Sequence, residues 1–512
     1  MLSNRIHHAF RGGSRAWRKP ATPSNRLLST STCRLNVLTE LEQRGMIQDV
    51  TSRAAREHVE NPTTVYLGVD PSAPSLHVGN LLALIGLVHF RLKGHNAIAL
   101  IGGATGAIGD PSGRSTERNA LSPETLEANI AGISRQLERF LERGVPFAQS
   151  RNRPRGVAEG ENEGATSTGS ATGEGQIRIE NNMKWIGGMS LLEFLGKVGK
   201  MARVSTMLSR ESVKSRLDSS SGLSFTEFSY QLLQAYDFLT LHRMHNCTIQ
   251  LGGSDQLGNI VSGIDMIRRS KFGSDATAAA APGGADGKED DPAFGVTFPL
   301  LTTSSGEKFG KSAGNAIWLD PTMTSPFEVY QFFLRTTDEE VEKYLKIFTF
   351  IRVVELKGIM EEHKANPSER IAQKVLAAEA TELIHGSEGL RQALAATRLL
   401  FSPASDLASL VTPDLIASLD GSSETPTVPS MLVRLDKGEY VGQVVEKIAI
   451  ASGVFASKTQ ARKSIEAGTL QVNGTKLAPK SHQRKVDESD LLDGRIVVLK
   501  VGKTTSKIVL LE

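Results

Sequence analysis

Residues 65–80 read Val65-Tyr66-Leu67-Gly68-Val69-Asp70-Pro71-Ser72-Ala73-Pro74-Ser75-Leu76-His77-Val78-Gly79-Asn80. Val65 to Val69 is a short apolar run closed by Asp-Pro, which predicts a buried strand. His77 to Gly94 then reads as a turn leading into an apolar helix. Ile98-Ala99-Leu100-Ile101 repeats the strand pattern, and Gly102-Gly103-Ala104-Thr105-Gly106 after it predicts a glycine turn. Strand, glycine turn and helix alternate, so the expected class is α/β with a Rossmann-like parallel sheet.

Outward from this core, a helical pattern with Val37, Leu38 and Leu41 on one side begins the folded part near Leu35. Residues 1–34 carry six Arg and one Lys and no acid, the composition of a mitochondrial presequence. Because the whole chain is +3, the remainder carries about −4. Two stretches rich in Gly, Ser, Thr, Glu or Ala, about 152–176 and 273–292, are expected to be surface insertions in a domain spanning 35–325. Residues 326–404 are expected to form a separate helical domain, and 405–430, rich in Ser, Thr, Pro and Asp, a linker. Residues 431–512 hold 14 basic against 9 acidic side chains, a compact basic unit of net +5 that leaves 35–430 near −9.

The bulk composition excludes several classes. With 39% hydrophobic and 22% charged residues the 512-residue chain reads as globular, with room for several domains. Its longest apolar run, near Leu81 to Phe90, is broken by Gly86 and His89 and falls short of the roughly 20 residues a bilayer requires. Neither a membrane span nor a membrane partner is expected. Cys33 and Cys247 fit neither a disulfide framework nor zinc-ligand spacing, so no metal site is expected.

Two stretches carry the chemistry. Glycine at the helix start near Gly79 lets a phosphate approach the backbone, and His77 beside it can donate to a phosphate oxygen. Lys308-Phe309-Gly310-Lys311-Ser312 looks like a phosphate-binding loop, but Gly306 and Gly310 enclose three residues where a Walker motif needs four. Two lysines on a loop can instead close over a triphosphate and stabilise transferring charge.

In this order and about 230 residues apart, these stretches resemble the HIGH and KMSKS motifs of class I aminoacyl-tRNA synthetases. Three further stretches are similar to the tyrosyl-tRNA synthetases within that class: Gly102 to Arg114, Tyr230-Gln231-Leu232-Leu233-Gln234-Ala235-Tyr236-Asp237, and Gln250 to Asn259. Asn80 stands where the second histidine of HIGH is usual, and Phe309-Gly310 where Met-Ser is usual. The resemblance implies a tyrosine–tRNA ligase with a Rossmann-like catalytic domain and a helical anticodon-binding domain. Tyr66 and Asp237 would hold the phenol of tyrosine, Asp110, Tyr230 and Gln234 its amino group, and Gln250 and Gln256 would lie near its carboxylate. ATP, accompanied by Mg²⁺, would rest on Gly68, Asp70, Ser72, His77, Gly79, Asn80, Gly253 and Asp255, with Lys308 and Lys311 above it. The spacing agrees, because Tyr230, Gln234 and Asp237 share one face of a helix. A buried phenol needs an acceptor and an ammonium group a carboxylate, which Asp237 and Asp110 supply.

Val454 to Gly474 resembles the S4 RNA-binding domain, a basic helix that turns at Gly468 into a strand with a Val-Asn-Gly turn. Lys458, Arg462 and Lys463 fall near one helical face, suited to RNA phosphates. The resemblance further implies a homodimer that charges tRNA(Tyr) in the mitochondrial matrix. Tryptophanyl-tRNA synthetase is the enzymatic alternative, but it lacks an S4 tail and has no need of an acid facing a phenol. An additional RNA-structural role, such as assistance to group I intron splicing, would show as intron binding that tRNA does not compete.

Overall fold

The computed structural model describes residues 36–112, 121–152, 175–217, 222–272, 291–301, 316–419, 432–479, 481, 483–502 and 505–512. The expected presequence, nearly all of both expected insertions, and Lys308 and Lys311 lie outside the described residues. The chain divides into two units, one comprising Met1–Ser75, Gly79–Phe309 and Glu342–Val375, the other Leu76–Val78, Gly310–Val341 and Leu376–Glu512.

In the first unit, Asp49–Val50 (β1), Thr64–Val69 (β2), Asn96–Ile101 (β3), Ile177–Asn181 (β4), Cys247–Gly253 (β5) and Phe294–Phe298 (β6) form one sheet in the order β1-β6-β5-β2-β3-β4. Strands β2 to β6 pair in parallel and β1 is antiparallel to β6. The inner strands β2, β3 and β6 read as near-continuous apolar runs, as buried strands of a parallel sheet do. From β2 the chain steps outward through β3 and β4, then returns to the other side of β2 for β5 and β6. This reversal between β2 and β5 opens a crevice beyond their carboxyl ends, where open parallel sheets bind ligands.

Helices Val37–Gln43 (α1), Val78–Leu92 (α2), Gly103–Ile108 (α3), Pro123–Asn152 (α4), Phe225–His245 (α5) and Leu257–Phe272 (α6) surround or cap this sheet. The predicted glycine turn over 102–106 is instead the start of α3. Its glycines serve close approach: a Cβ at Gly102 would lie 2.0 Å from Asp70 Oδ1, at Gly103 2.4 Å from Asn181 Oδ1, and at Gly106 2.7 Å from Pro71 Cδ. Glycine costs a helix about 1 kcal/mol relative to alanine, and here any larger residue would force Asp70, Asn181 or Pro71 to shift.

The helical stretch after 326 comprises Pro326–Leu334 (α7), Asp338–Phe348 (α8), Val353–Ala365 (α9) and Ile371–Phe401 (α10), the last kinked at Gly386, where φ is 76°. It is shared between the units, with 342–375 in the first. Arg44, buried just after α1, explains that membership by donating to the carbonyls of Lys346, Thr349 and Ile351 at 3.2, 3.0 and 3.0 Å.

In the second unit, Ala404–Leu410 (α11) and Pro413–Leu419 (α12) precede a sheet of Leu432–Leu435 (β7), Leu470–Val472 (β8), Thr475–Lys476 (β9), Ile496–Val501 (β10) and Thr505–Leu511 (β11), ordered β7-β11-β10-β8-β9. Both faces of β10 and β11 are apolar. Val497, Leu499 and Val509 pack with Val445–Ala451 (α13) and Lys458–Glu466 (α14) through Ile448 and Ile465. Val498, Ile508 and Leu510 pack with Leu399, Leu407 and Leu415. The first half of the expected linker is therefore helical, because its apolar residues cover the second sheet face. The Val-Asn-Gly turn joins β8 to β9 with φ 47° at Asn473 and 77° at Gly474, the left-handed pair a two-residue hairpin requires.

Candidate active site

At the crevice between β2 and β5, Tyr66 and Gln250 are register partners, both fully buried. Neither Tyr66 Oη nor Gln250 Oε1 has a hydrogen-bond partner among the described residues. Burial pushes the Tyr66 phenol well above its ordinary value, so it stays a donor. An unsatisfied buried polar group costs about 1–3 kcal/mol. Two of them on neighbouring strands give the crevice polar groups able to pair with a polar ligand.

Asp237, on α5, is buried beside them. It accepts from Asn182 Nδ2 at 2.9 Å and Trp185 Nε1 at 2.8 Å. Burial outweighs these donors and pushes its carboxyl up to about 7. Asn182 is itself fixed, donating to Thr105 Oγ1 at 3.1 Å and accepting from the Ala104 N–H at 2.8 Å.

Asp70 accepts from Thr105 Oγ1 through Oδ1 and from Tyr230 Oη through Oδ2, both at 2.7 Å. The sequence reading assigned Asp70 to ATP and Tyr230 to the amino group of tyrosine. The structure joins them directly, so a carboxylate bridges the two expected subsites. Asp110 accepts from the Ser112 N–H at 2.9 Å and from Gln256 Nε2 at 2.7 Å. Asn259 Nδ2 donates to Gln234 Oε1 at 3.0 Å and Gln256 Oε1 at 3.2 Å. Tyr230, Gln234 and Asp237 all lie on α5, and each side chain has its own partner.

Thr105, Asn182, Trp185 and Asn259 escaped sequence reasoning as site residues. Thr105 and Asn259 lie within two of the family-like stretches, whereas the only signal for Asn182 and Trp185 is position, after β4 at the carboxyl edge of the sheet, where ligand contacts gather.

Gly68 is the one exposed residue of β2, and Ser72 lies just beyond that strand. Gly79 and Asn80 stand in the first turn of α2. At Gly253, which ends β5, a Cβ would lie 2.6 Å from Asp255 Oδ1 in the next turn.

In the second unit, His77 forms an antiparallel bridge with Trp318. The Val78 N–H donates to the Ile317 carbonyl at 2.9 Å and the Leu319 N–H to the Leu76 carbonyl at 2.8 Å. The indole stands edge-on to the imidazole with centroids 6.0 Å apart. Residues that closely follow the lysine motif are therefore stitched to the histidine motif. Lys458, Arg462 and Lys463 are all exposed on α14. Among the described residues there is no cluster of three or more His, Cys, Asp or Glu side chains suited to a metal ion.

Two family profiles match. One, described as "tRNA synthetases class I (W and Y)", covers residues 58–402, more than half of the chain. The other, "Tyrosine--tRNA ligase SYY-like C-terminal domain", covers 427–509 and decides between the two amino acids. This chain belongs to the class I tyrosyl-tRNA synthetases. The synthetase is 39% identical over 495 residues to the chloroplastic/mitochondrial tyrosine–tRNA ligase of Arabidopsis thaliana, covering 96% of this chain and 86% of the relative. Identity to the mitochondrial tyrosine–tRNA ligase of Drosophila melanogaster is also 39%, over 479 residues, 92% of this chain and 94% of that one. Among solved structures, a C-terminally truncated mitochondrial tyrosyl-tRNA synthetase of Aspergillus nidulans superposes with a TM-score of 0.60 at 35% identity, over 72% of this chain and 94% of that one. Membership makes this chain an aminoacyl-tRNA ligase that uses ATP.

Proposed function

We propose that the crevice between β2 and β5 activates L-tyrosine with ATP and that the helical segments after 326 and the basic C-terminal domain bind tRNA(Tyr), which receives the tyrosyl group. The observation that carries this is the buried set of Tyr66, Asp237 and Gln250. A phenol entering there meets a free donor at Tyr66 and an acceptor at Asp237, which Asn182 and Trp185 hold in place. Asp110, Tyr230 and Gln234 take the ammonium end, and Gln250 and Gln256 lie toward the carboxylate.

ATP, carried in with Mg²⁺, lies along Gly68, Asp70, Ser72, Gly79, Asn80, Gly253 and Asp255, where glycines leave room for the backbone to approach it. The tyrosine carboxylate attacks the α-phosphorus in line, a P–O bond forms, and the bond to pyrophosphate breaks. His77, Lys308 and Lys311 stabilise charge that builds on the phosphates. A ribose hydroxyl at the 3′ end of tRNA then takes the tyrosyl group, releasing AMP. Positioning and electrostatics suffice for both steps, and no covalent enzyme intermediate is needed.

C-terminal of the helical segments, the basic sheet domain with Lys458, Arg462 and Lys463 grips RNA phosphates. A homodimer accounts for the apolar side chains exposed along 183–225, with Leu192 81% and Phe225 77% exposed. Such exposure on one segment marks an association surface. Work in the mitochondrial matrix is supported by the mitochondrial relatives and by the basic, acid-free composition of residues 1–34.

The deciding experiment is ATP–pyrophosphate exchange tested with each of the twenty amino acids. Tyrosine is expected to support it, with phenylalanine lower by orders of magnitude because it brings no hydroxyl to pair with Tyr66 Oη or to donate to Asp237. Exchange with tryptophan comparable to tyrosine would end this reading.

A further inference from the structure

Glu446 lies in the first turn of α13, inside a domain of net positive charge, and its side chain is only 6% exposed. It holds two cations of α14 at once. Lys458 Nζ is 3.2 Å from Oε1, and Arg462 Nε donates to Oε2 at 3.0 Å. Burial raises the Glu446 carboxyl, but the two cations prevail and keep it below the usual carboxylate range.

Lys458 and Arg462 are four apart on a helix capped by Ser457, and they stay 62% and 49% exposed. Arg462 spends only Nε on the carboxylate. Its two terminal nitrogens make no hydrogen bond among the described residues. A role in stability alone explains this poorly, since exposed cations gain little from ion pairing and lose rotamer freedom. An apolar side chain at 446 could join Val445, Ile448 and Ala449 in the core beside it.

We propose that Glu446 is a positioning residue for RNA, holding Lys458 and Arg462 in one geometry so that their outer faces grip neighbouring phosphates of the tRNA backbone. The inference rests on the reading of this domain as RNA-binding. Two cations ordered beforehand lose less freedom on binding than two mobile ones. Charge counting and positioning predict opposite signs. Removing a negative charge near RNA should tighten binding if only net charge matters, and should weaken it if Glu446 sets the geometry.

The test uses the full-length protein with Glu446→Gln, the double variant Lys458→Ala/Arg462→Ala, and the triple variant. For E446Q the expected result is a tRNA dissociation constant and a charging KM raised roughly five- to fiftyfold, the equivalent of ordering two long side chains at the interface. Charging kcat and tyrosine-dependent exchange should not change. The slope of log affinity against log salt should become shallower by about one phosphate contact or more. Added to the double variant, E446Q should have no further effect. Should the glutamine variant melt early, Glu446→Met fills the same volume with an apolar chain and is expected to weaken tRNA binding likewise. If E446Q binds tRNA as tightly as the parent, or more tightly, while the double variant binds weakly, the positioning role is wrong and the RNA reading stands. If the double variant binds tRNA normally, the RNA reading of α14 fails, and this inference with it.

Discussion

Asp237 is the residue at which pH should speak. Its carboxyl is pushed up to about 7 in the folded protein, from 3.8. Between about pH 4 and pH 7 the folded state therefore binds more protons than the unfolded state, and this group makes stability fall as pH rises through that window. The tyrosine phenol, donating to Asp237, favours the ionised form. Tyrosine affinity is thus expected to rise from pH 5.5 toward about 7 and then level off, and titration calorimetry across pH 5.5–8.5 measures it. A flat profile would detach the phenol from Asp237. Tyr66→Phe removes a buried donor that has no partner. The ligand-free variant should melt at or above the parental temperature, while tyrosine binding weakens by about 0.5–1.5 kcal/mol, the net value of one hydrogen bond. The family resemblance singled out Asp237 in the sequence, and its spacing from Tyr230 and Gln234 agreed. Its fixing by Asn182 and Trp185 was not legible there, because those two meet it across separations of 55 and 52 residues.

The element that most tightly links fold to site is α3. At Gly102 an added Cβ would meet Asp70 Oδ1 at 2.0 Å and Thr105 Oγ1 at 2.3 Å. Gly102→Ala should cost about 1–3 kcal/mol by overpacking, and it should also weaken tyrosine binding, because Asp70 holds Tyr230. Gly188→Ala is the control: nothing lies within 4 Å of a Cβ there, so its effect should stay within about 0.5 kcal/mol. Thermal melts and tyrosine titrations of both variants decide this. Equal behaviour would mean that α3 has room to shift. The glycines were visible in the sequence, but a turn and a glycine-rich helix share that composition, and only the neighbouring Asp70, Asn181 and Pro71 distinguish them.

At the scale of the molecule, the proposed function assigns the two halves of the reaction to different segments. Deleting residues from 432 onward should leave tyrosine-dependent exchange nearly intact and strongly reduce tRNA charging. The deletion also uncovers Leu399, Leu407 and Leu415, which pack on Val498, Ile508 and Leu510. The truncated protein should therefore bind a hydrophobic dye and lose the last two helices, α11 and α12, by circular dichroism. If exchange is lost as well, the catalytic sheet depends on the second unit for its folding.

Local sequence was enough for whatever depends on local chemistry. The strands β2 and β3, the helix α2, the Asn473-Gly474 hairpin and the shared face of Tyr230, Gln234 and Asp237 all follow from apolar periodicity, glycine and spacing, which act over a few residues. Three features needed the tertiary structure. Helices α11 and α12 stand where composition predicted a linker, because their helical state depends on a sheet face more than 70 residues away in the chain. Asp70 and Tyr230 share a hydrogen bond across 160 residues. The histidine motif is stitched, through Leu76–Val78, to Ile317–Leu319, more than 230 residues away in the chain. In each case the deciding term is burial or pairing between distant segments, and no window of sequence contains both partners.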